Sequence, residues 1–158
     1  VDQQVFSSTQ PSSTNSIKMV SAAEVSAIQG HWNANVKPNM QAVANLLFVK
    51  YFTANPADQA LFKSFAGVPI GDLSSNAAFS AQTLAVLSYV DKVVDGLGSN
   101  AVQLMKDQVE PHKARNISVD TINKMFVFLP GFIGENGGNA ACVAAWKAAG
   151  AELYGAMK

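Results

Sequence analysis

Charge of either sign is scarce in this chain. Asp, Glu, Lys and Arg make up only 14% of its 158 residues, and eleven basic residues balance eleven acidic ones. Without clustered Lys and Arg there is no electrostatic footprint for nucleic acid or an anionic membrane surface, so neither is expected as a partner. Cysteine is nearly absent: Cys142 stands alone, which excludes an internal disulfide and a cysteine-based zinc site. A small buried apolar role suits it. Histidine occurs twice, as His31 and His112, so any chemistry that needs a pair must use both. No apolar run approaches the ~20 residues that span a bilayer, and a soluble chain is expected. There is no Gly-x-Ser-x-Gly elbow, no His-Glu-x-x-His helix and no Gly-rich phosphate loop. No useful stretch of β-alternation appears either.

What is present is apolar residue, at 49% of the chain, in a length that suits one domain and one core. Residues 1–20 are rich in Ser, Thr and Gln and lack apolar periodicity, so they are expected to form an extended or mobile polar arm ahead of a domain over 21–158. The first residue is Val1 and not Met, which fits removal of an N-terminal piece. The sparse surface charge leaves room for an apolar subunit contact.

Helical signals begin at Ser21-Ala22-Ala23-Glu24, a capping box in which Ser and Glu each satisfy a free first-turn amide. Val25, Ile28, Trp32 and Val36 follow at helical spacing, and Pro38 breaks the run. A second helix passes through Val43, Leu47 and Tyr51 to Asn55-Pro56, where Asn is expected to cap a short third helix. From about Asn76 to Gly96, Phe79, Gln82, Val86, Val90 and Val93 share one face, and one of them is polar. After Gly96-Leu97-Gly98 a shorter helix ends near His112 to Ala114, with Asn116 starting the turn. Ile122 to Ile133 makes another stripe, in which Pro130-Gly131 predicts a kink. Residues 134–138 read as a loop, and Val143, Trp146, Leu153 and Met157 mark the last helix. The fold class is all-α, with six to eight helices.

His31 lies off the centre of its stripe and reads as a solvated or rim residue. Asp91 and Asp95, four apart, read as a solvated face. His112 stands near a helix end in Gln108-Val109-Glu110-Pro111-His112-Lys113-Ala114-Arg115 with no second ligand at helical spacing. By residue type alone it is either structural or a ligand, and nothing else in the chain specifies an active site without a cofactor.

Several anchors in order resemble the globin family over about residues 21–158. They are Trp32 after the Ser21 helix start, Asn55-Pro56 opening a short third helix, Phe62 and Phe65 in Leu61-Phe62-Lys63-Ser64-Phe65-Ala66-Gly67, His112 in Pro111-His112-Lys113-Ala114-Arg115, and Trp146 in the final helix. The resemblance implies a globin fold around haem b (iron protoporphyrin IX), with His112 as the iron ligand on one side. It puts Gln82 where many globins carry a distal histidine, Val86 one turn later facing the gas, and Phe48 in the distal pocket. Phe62, Phe65 and Ile117 complete the implied haem-binding set. Lys113 and Arg115 are assigned to solvated surface.

The function this implies is reversible binding of O₂, and of CO or NO, for transport or storage, by a protein that is not an enzyme. Gln82 has an amide N–H to donate and no titratable proton. The competing reading is a haem enzyme, a peroxidase or NO dioxygenase, which would call for a distal acid or base near iron. A haem-free helical interaction domain is the third. Oligomers with itself or with other globin chains fit the sparse charge. The compartment is open between an extracellular fluid, such as haemolymph or coelomic fluid, and the cytoplasm.

Overall fold

The computed structural model describes residues 19–158, which form eight α-helices and two 3₁₀ turns, with no strand among the described residues. The all-α expectation therefore holds. Of the expected polar arm, residues 1–18 lie outside the described residues. At its inner end the Val20 N–H donates to the Glu152 carboxylate at 2.8 Å.

Short polar residues start four of the helices as their chemistry dictates. At α1 (Ala22–Asn35) the Ser21 hydroxyl accepts the Glu24 N–H and the Glu24 carboxylate accepts the Ser21 N–H, closing the capping box. Asn76 caps α4 (Ala77–Asp95), Ser118 caps α7 (Val119–Glu135) and Asn139 caps α8 (Ala140–Met157). Asn55 departs from expectation. It precedes α3 (Pro56–Gln59) but makes no cap bond; its amide instead donates back to the Tyr51 carbonyl at 3.1 Å, closing α2 (Met40–Ala54).

The helix expected to end near His112 is in fact two, α5 (Ala101–Lys106) and α6 (Val109–Lys113). Pro111 supplies the reason: it has no N–H and its ring clashes with the carbonyl four residues back, at Asp107, where the first helix stops. Asn116, at φ 62°, then reverses the chain. By contrast Pro130 is accommodated inside α7, which runs on to Glu135 and shrinks the expected loop to residues 136–139. Proline leaves the Phe126 carbonyl without its helical donor. Beside it α8 comes close at Gly150, where an added Cβ would lie 3.3 Å from Phe126 Cβ and 3.5 Å from that oxygen.

Two buried clusters form the interior. The larger joins α1, α2, α4, α7 and α8 and contains Trp32 and Trp146, whose rings lie 5.7 Å apart. The smaller is aromatic: Phe48, Tyr51, Phe52, Phe65 and Phe79 with Leu73. Val86, Met125 and Phe128 pack against both. Cys142 is buried, as expected, and burial pushes its thiol pKa up.

One surface assignment needs correction and another, a rim position, gains a partner. Asp91 is no free solvated carboxylate, since it accepts the Trp32 indole N–H at 2.8 Å, and Lys37 pairs with both Asp91 and Asp95. His31 is half-buried, and its Nε2 lies 2.8 Å from the Asn136 carbonyl, which fastens α1 to the turn before α8. Neither partner is near in sequence, so spacing could not show them.

Candidate cofactor pocket

A cavity of about 480 Å³ opens between α2, α4, the segment after α3, α6 and α7. Phe48, Phe62, Phe65, Gln82, Val86, His112 and Ile117 all line it. Their separation along the chain, from 48 to 117, is closed by the fold.

The wall from α4 is set by a polar link on its buried side. Thr83, fully buried, donates its hydroxyl to the Asn45 side-chain carbonyl of α2 at 2.7 Å, while the Asn45 amide donates to the Ser80 hydroxyl at 3.2 Å. With that side of α4 held against α2, the residue before Thr83, Gln82, comes to the cavity, and Val86 follows one turn on. Gln82 is half-buried and has no hydrogen-bond partner among the described residues, so its carboxamide is free to bond a guest. Phe48 is buried beside them and tilts against Phe52.

A second wall comes from α6. His112 Nδ1 lies 2.7 Å from the Gln108 carbonyl, one helical turn back. A carbonyl oxygen only accepts, so Nδ1 carries the proton in this bond and the neutral ring keeps its lone pair on Nε2. That nitrogen makes no hydrogen bond among the described residues. The same Gln108 oxygen also accepts the His112 main-chain N–H at 3.2 Å, so ring and backbone are anchored at one point. The turn through Asn116 brings Ile117 back to the cavity, with its N–H on the His112 carbonyl at 2.8 Å.

A third wall is the corner after α3. Phe62 and Phe65 stack at 5.3 Å with only 12° between their planes, and Phe79 meets Phe65 edge-on at 5.4 Å. Behind it sits a polar cluster that sequence reading missed. The Asp58 carboxylate, which also lines the cavity, accepts from the Tyr51 hydroxyl and from the Lys124 ammonium, each at 2.6 Å. Burial opposes charge on Asp58, but the bonds from Lys124 and Tyr51 outweigh it and hold the carboxyl below its usual range. Burial, and then the neighbouring Asp58, pushes the Tyr51 phenol up, which keeps it a donor.

At the mouth are exposed Lys63, Ser64 and Arg115. Arg115 thus borders the cavity, in addition to the surface role assigned to it, whereas Lys113 pairs with Glu110 at 3.6 Å on the surface. Gln108 was also missed, although its position four residues before His112 was a usable signal. No group of three or more His, Cys, Asp or Glu residues is placed to hold a metal ion among the described residues. One imidazole in an apolar slot with cations at its rim fits a metal that brings its own equatorial ligands in a flat apolar frame with acidic edges. No helix among the described residues is long and apolar enough to cross a membrane.

Comparison with known proteins bears on the family and the fold. The family profile described as Globin matches residues 45–157. Myoglobin of Scomber japonicus is 33% identical over 79 residues, covering 50% of this chain and 53% of that protein. Globin CTT-II beta of Chironomus thummi thummi is 29% identical over 119 residues, 72% of this chain and 71% of that one. The match thus spans about half the length of the first relative and more of the second. Among solved structures, a hemoglobin component (TA-VII) from Tokunagayusurika akamusi superposes with a TM-score of 0.77 at 21% identity, covering 89% of this chain and 95% of that one. A Drosophila melanogaster globin gives 0.76 at 19% identity, covering 87% and 92%. The structural likeness speaks for the fold, and the profile match, extending over well more than half of the sequence, shows that the chain belongs to the globin family.

Proposed function

We propose that the chain holds haem b in this cavity and binds O₂ reversibly, for transport or storage, with CO and NO entering the same place. The observation that carries the reading is the state of His112: Nδ1 tied to the Gln108 carbonyl, Nε2 without a partner, and the ring lining an apolar cavity that Gln82 also lines. Haem, when bound, supplies an iron that takes diatomic gases.

His112 Nε2 would hold the iron, and the Gln108 carbonyl fixes the ring's tautomer and orientation as outer partners of metal-bound histidines do. Phe62 would pack against the flat group, with Phe65, Val86, Phe48 and Ile117 keeping water from the slot. Lys63 and Arg115 are placed to meet its acidic edge. Gln82 would offer an amide N–H to a gas held in the cavity, and it has no titratable proton to deliver. That last property favours a carrier over a peroxidase, which needs a titratable group near the reacting oxygen. Asp58 is ill suited to that role, since Tyr51 and Lys124 both bond its Oδ2 and hold the carboxyl below its usual range.

Absorption spectra of the purified chain with haem, in ferric, ferrous and CO-bound forms, test the reading. A Soret band at one haem per chain, a five-coordinate ferrous spectrum and a CO shift are expected. His112→Gly should lose the axial bond and regain it with added imidazole. No Soret band after haem addition would sink the cofactor, and peroxide turnover far above that of a simple carrier would move the function to the enzyme class.

A further inference from the structure

Gln59 is a polar side chain where the fold has no room for an idle one: it is only 6% exposed, beneath the corner that carries Phe62 and Phe65. Its side-chain amide donates to the Phe65 carbonyl at 2.9 Å and to the Val68 carbonyl at 2.7 Å. Its main-chain carbonyl accepts the Phe62 N–H at 3.1 Å. Phe65 N–H bonds the Phe62 carbonyl and Val68 N–H bonds the Phe65 carbonyl, each at 3.1 Å. One residue is therefore bonded to all three nodes of a run of single turns that has no regular helix of its own.

Buried carboxamides are costly unless bonded, and here both amide hydrogens are used on carbonyls of the same short segment. The segment matters because Phe62 and Phe65 are stacked as a two-ring wall of the cavity, backed by Phe52 at 5.6 Å and by Phe79. Neither ring stands on a helix, so their placement depends on what holds the turns.

We infer that Gln59 is a positioning residue that fixes the Phe62–Phe65 wall and thereby sets how firmly the cofactor is seated. The inference rests on the haem reading above and goes beyond it, since Gln59 itself does not line the cavity. It makes the rate of haem loss a property of a side chain behind the wall.

The test uses the full chain loaded with haem, as wild type and as Q59M, which keeps length and volume but removes both donors, with Q59E as a second variant. Three readouts are taken: haem uptake, amide hydrogen exchange, and haem transfer to an excess of acceptor apoprotein. Both variants are expected to take one haem per chain. Exchange at the Phe62, Phe65 and Val68 amides should quicken by about tenfold, as loss of a local hydrogen-bond brace implies, while α8 stays protected. Haem transfer should quicken several-fold, and the Phe62 ring signals in the CO-form proton spectrum should move. Wild-type exchange, ring shifts and transfer rate in Q59M would overturn the role, leaving the haem reading intact. A wild-type chain that takes up no haem would overturn both, and that outcome is told apart by uptake alone. Should Q59M not fold, Q59N takes its place, keeping the amide one methylene short of its two carbonyls.

Discussion

The Tyr89 hydroxyl donates to the Leu104 carbonyl at 2.6 Å, joining the helix that carries Gln82 and Val86 to the segment that leads to His112. The α4 wall of the cavity is thus tied to α5 by a bond outside any helix ladder. Tyr89→Phe should lower stability by about 1 kcal/mol, the usual net worth of such a bond. Urea denaturation reads the loss, and faster amide exchange over residues 101–113 should accompany it. An unchanged midpoint with unchanged exchange would show that the two helices are held by packing alone.

Gln82→Leu keeps bulk in the cavity and removes the unpartnered amide donor that α4 brings to it. O₂ retention should weaken by about 1 kcal/mol or more, seen as a dissociation rate raised by about fivefold or more, with CO release nearly unaltered. Equal changes for both gases would count against a donor role and for a steric one.

Acid should loosen the corner behind the cavity. The folded Asp58 carboxyl sits below its ordinary range because Lys124 and Tyr51 bond its charged form against the opposing effect of burial. The unfolded chain therefore binds the Asp58 proton more readily than the folded one, and the stability from this cluster is full above the ordinary carboxylate range and lost as pH falls through the depressed value. Tyr51, pushed up, stays protonated throughout that window. Asp58→Asn should be less stable than wild type at neutral pH and should show a shallower decline in urea midpoint on acidification. Parallel curves would place the acid sensitivity elsewhere.

Gly138→Ala should cost about 1–3 kcal/mol by overpacking. A Cβ at 138 would stand 2.5 Å from Ile133 Cγ2 and 2.8 Å from the Ile133 carbonyl oxygen, and that oxygen belongs to the end of α7 and cannot swing aside. The same oxygen accepts the Gly138 N–H at 2.8 Å. Thermal denaturation measures the effect; a melting point equal to wild type would mean that the α7–α8 turn yields more easily than its geometry implies.

Much of the helical layout was legible because it is written locally. Ser21 with Glu24, and Asn76 ahead of Phe79, signal their helix starts within four residues. The inward stripe from Phe79 to Val93 is a period that the chain itself displays. Pro111 and Pro130 were harder: one follows the end of a helix near Lys106 and sits in the first turn of the next, and the other is absorbed in the middle of α7. Asn55 had two possible bonds, forward and backward, and the backward one formed. In the pocket, Gln82, Val86 and His112 could be named from the ordered anchors of a family. Asp58, Lys124, Gln59 and Tyr89 could not, since their partners lie on other elements or depend on the path of an irregular turn. Gln108 lay between these cases, visible to anyone asking which carbonyl lies one turn behind a helical histidine.

Trp32 and Trp146 are the only tryptophans in the chain, and they share one contact between the first and last helices. The protein's indole fluorescence is therefore a single-site signal for the meeting of its two ends. A refolding experiment that follows this emission beside far-ultraviolet dichroism would separate the moment the chain closes on itself from the moment its helices form.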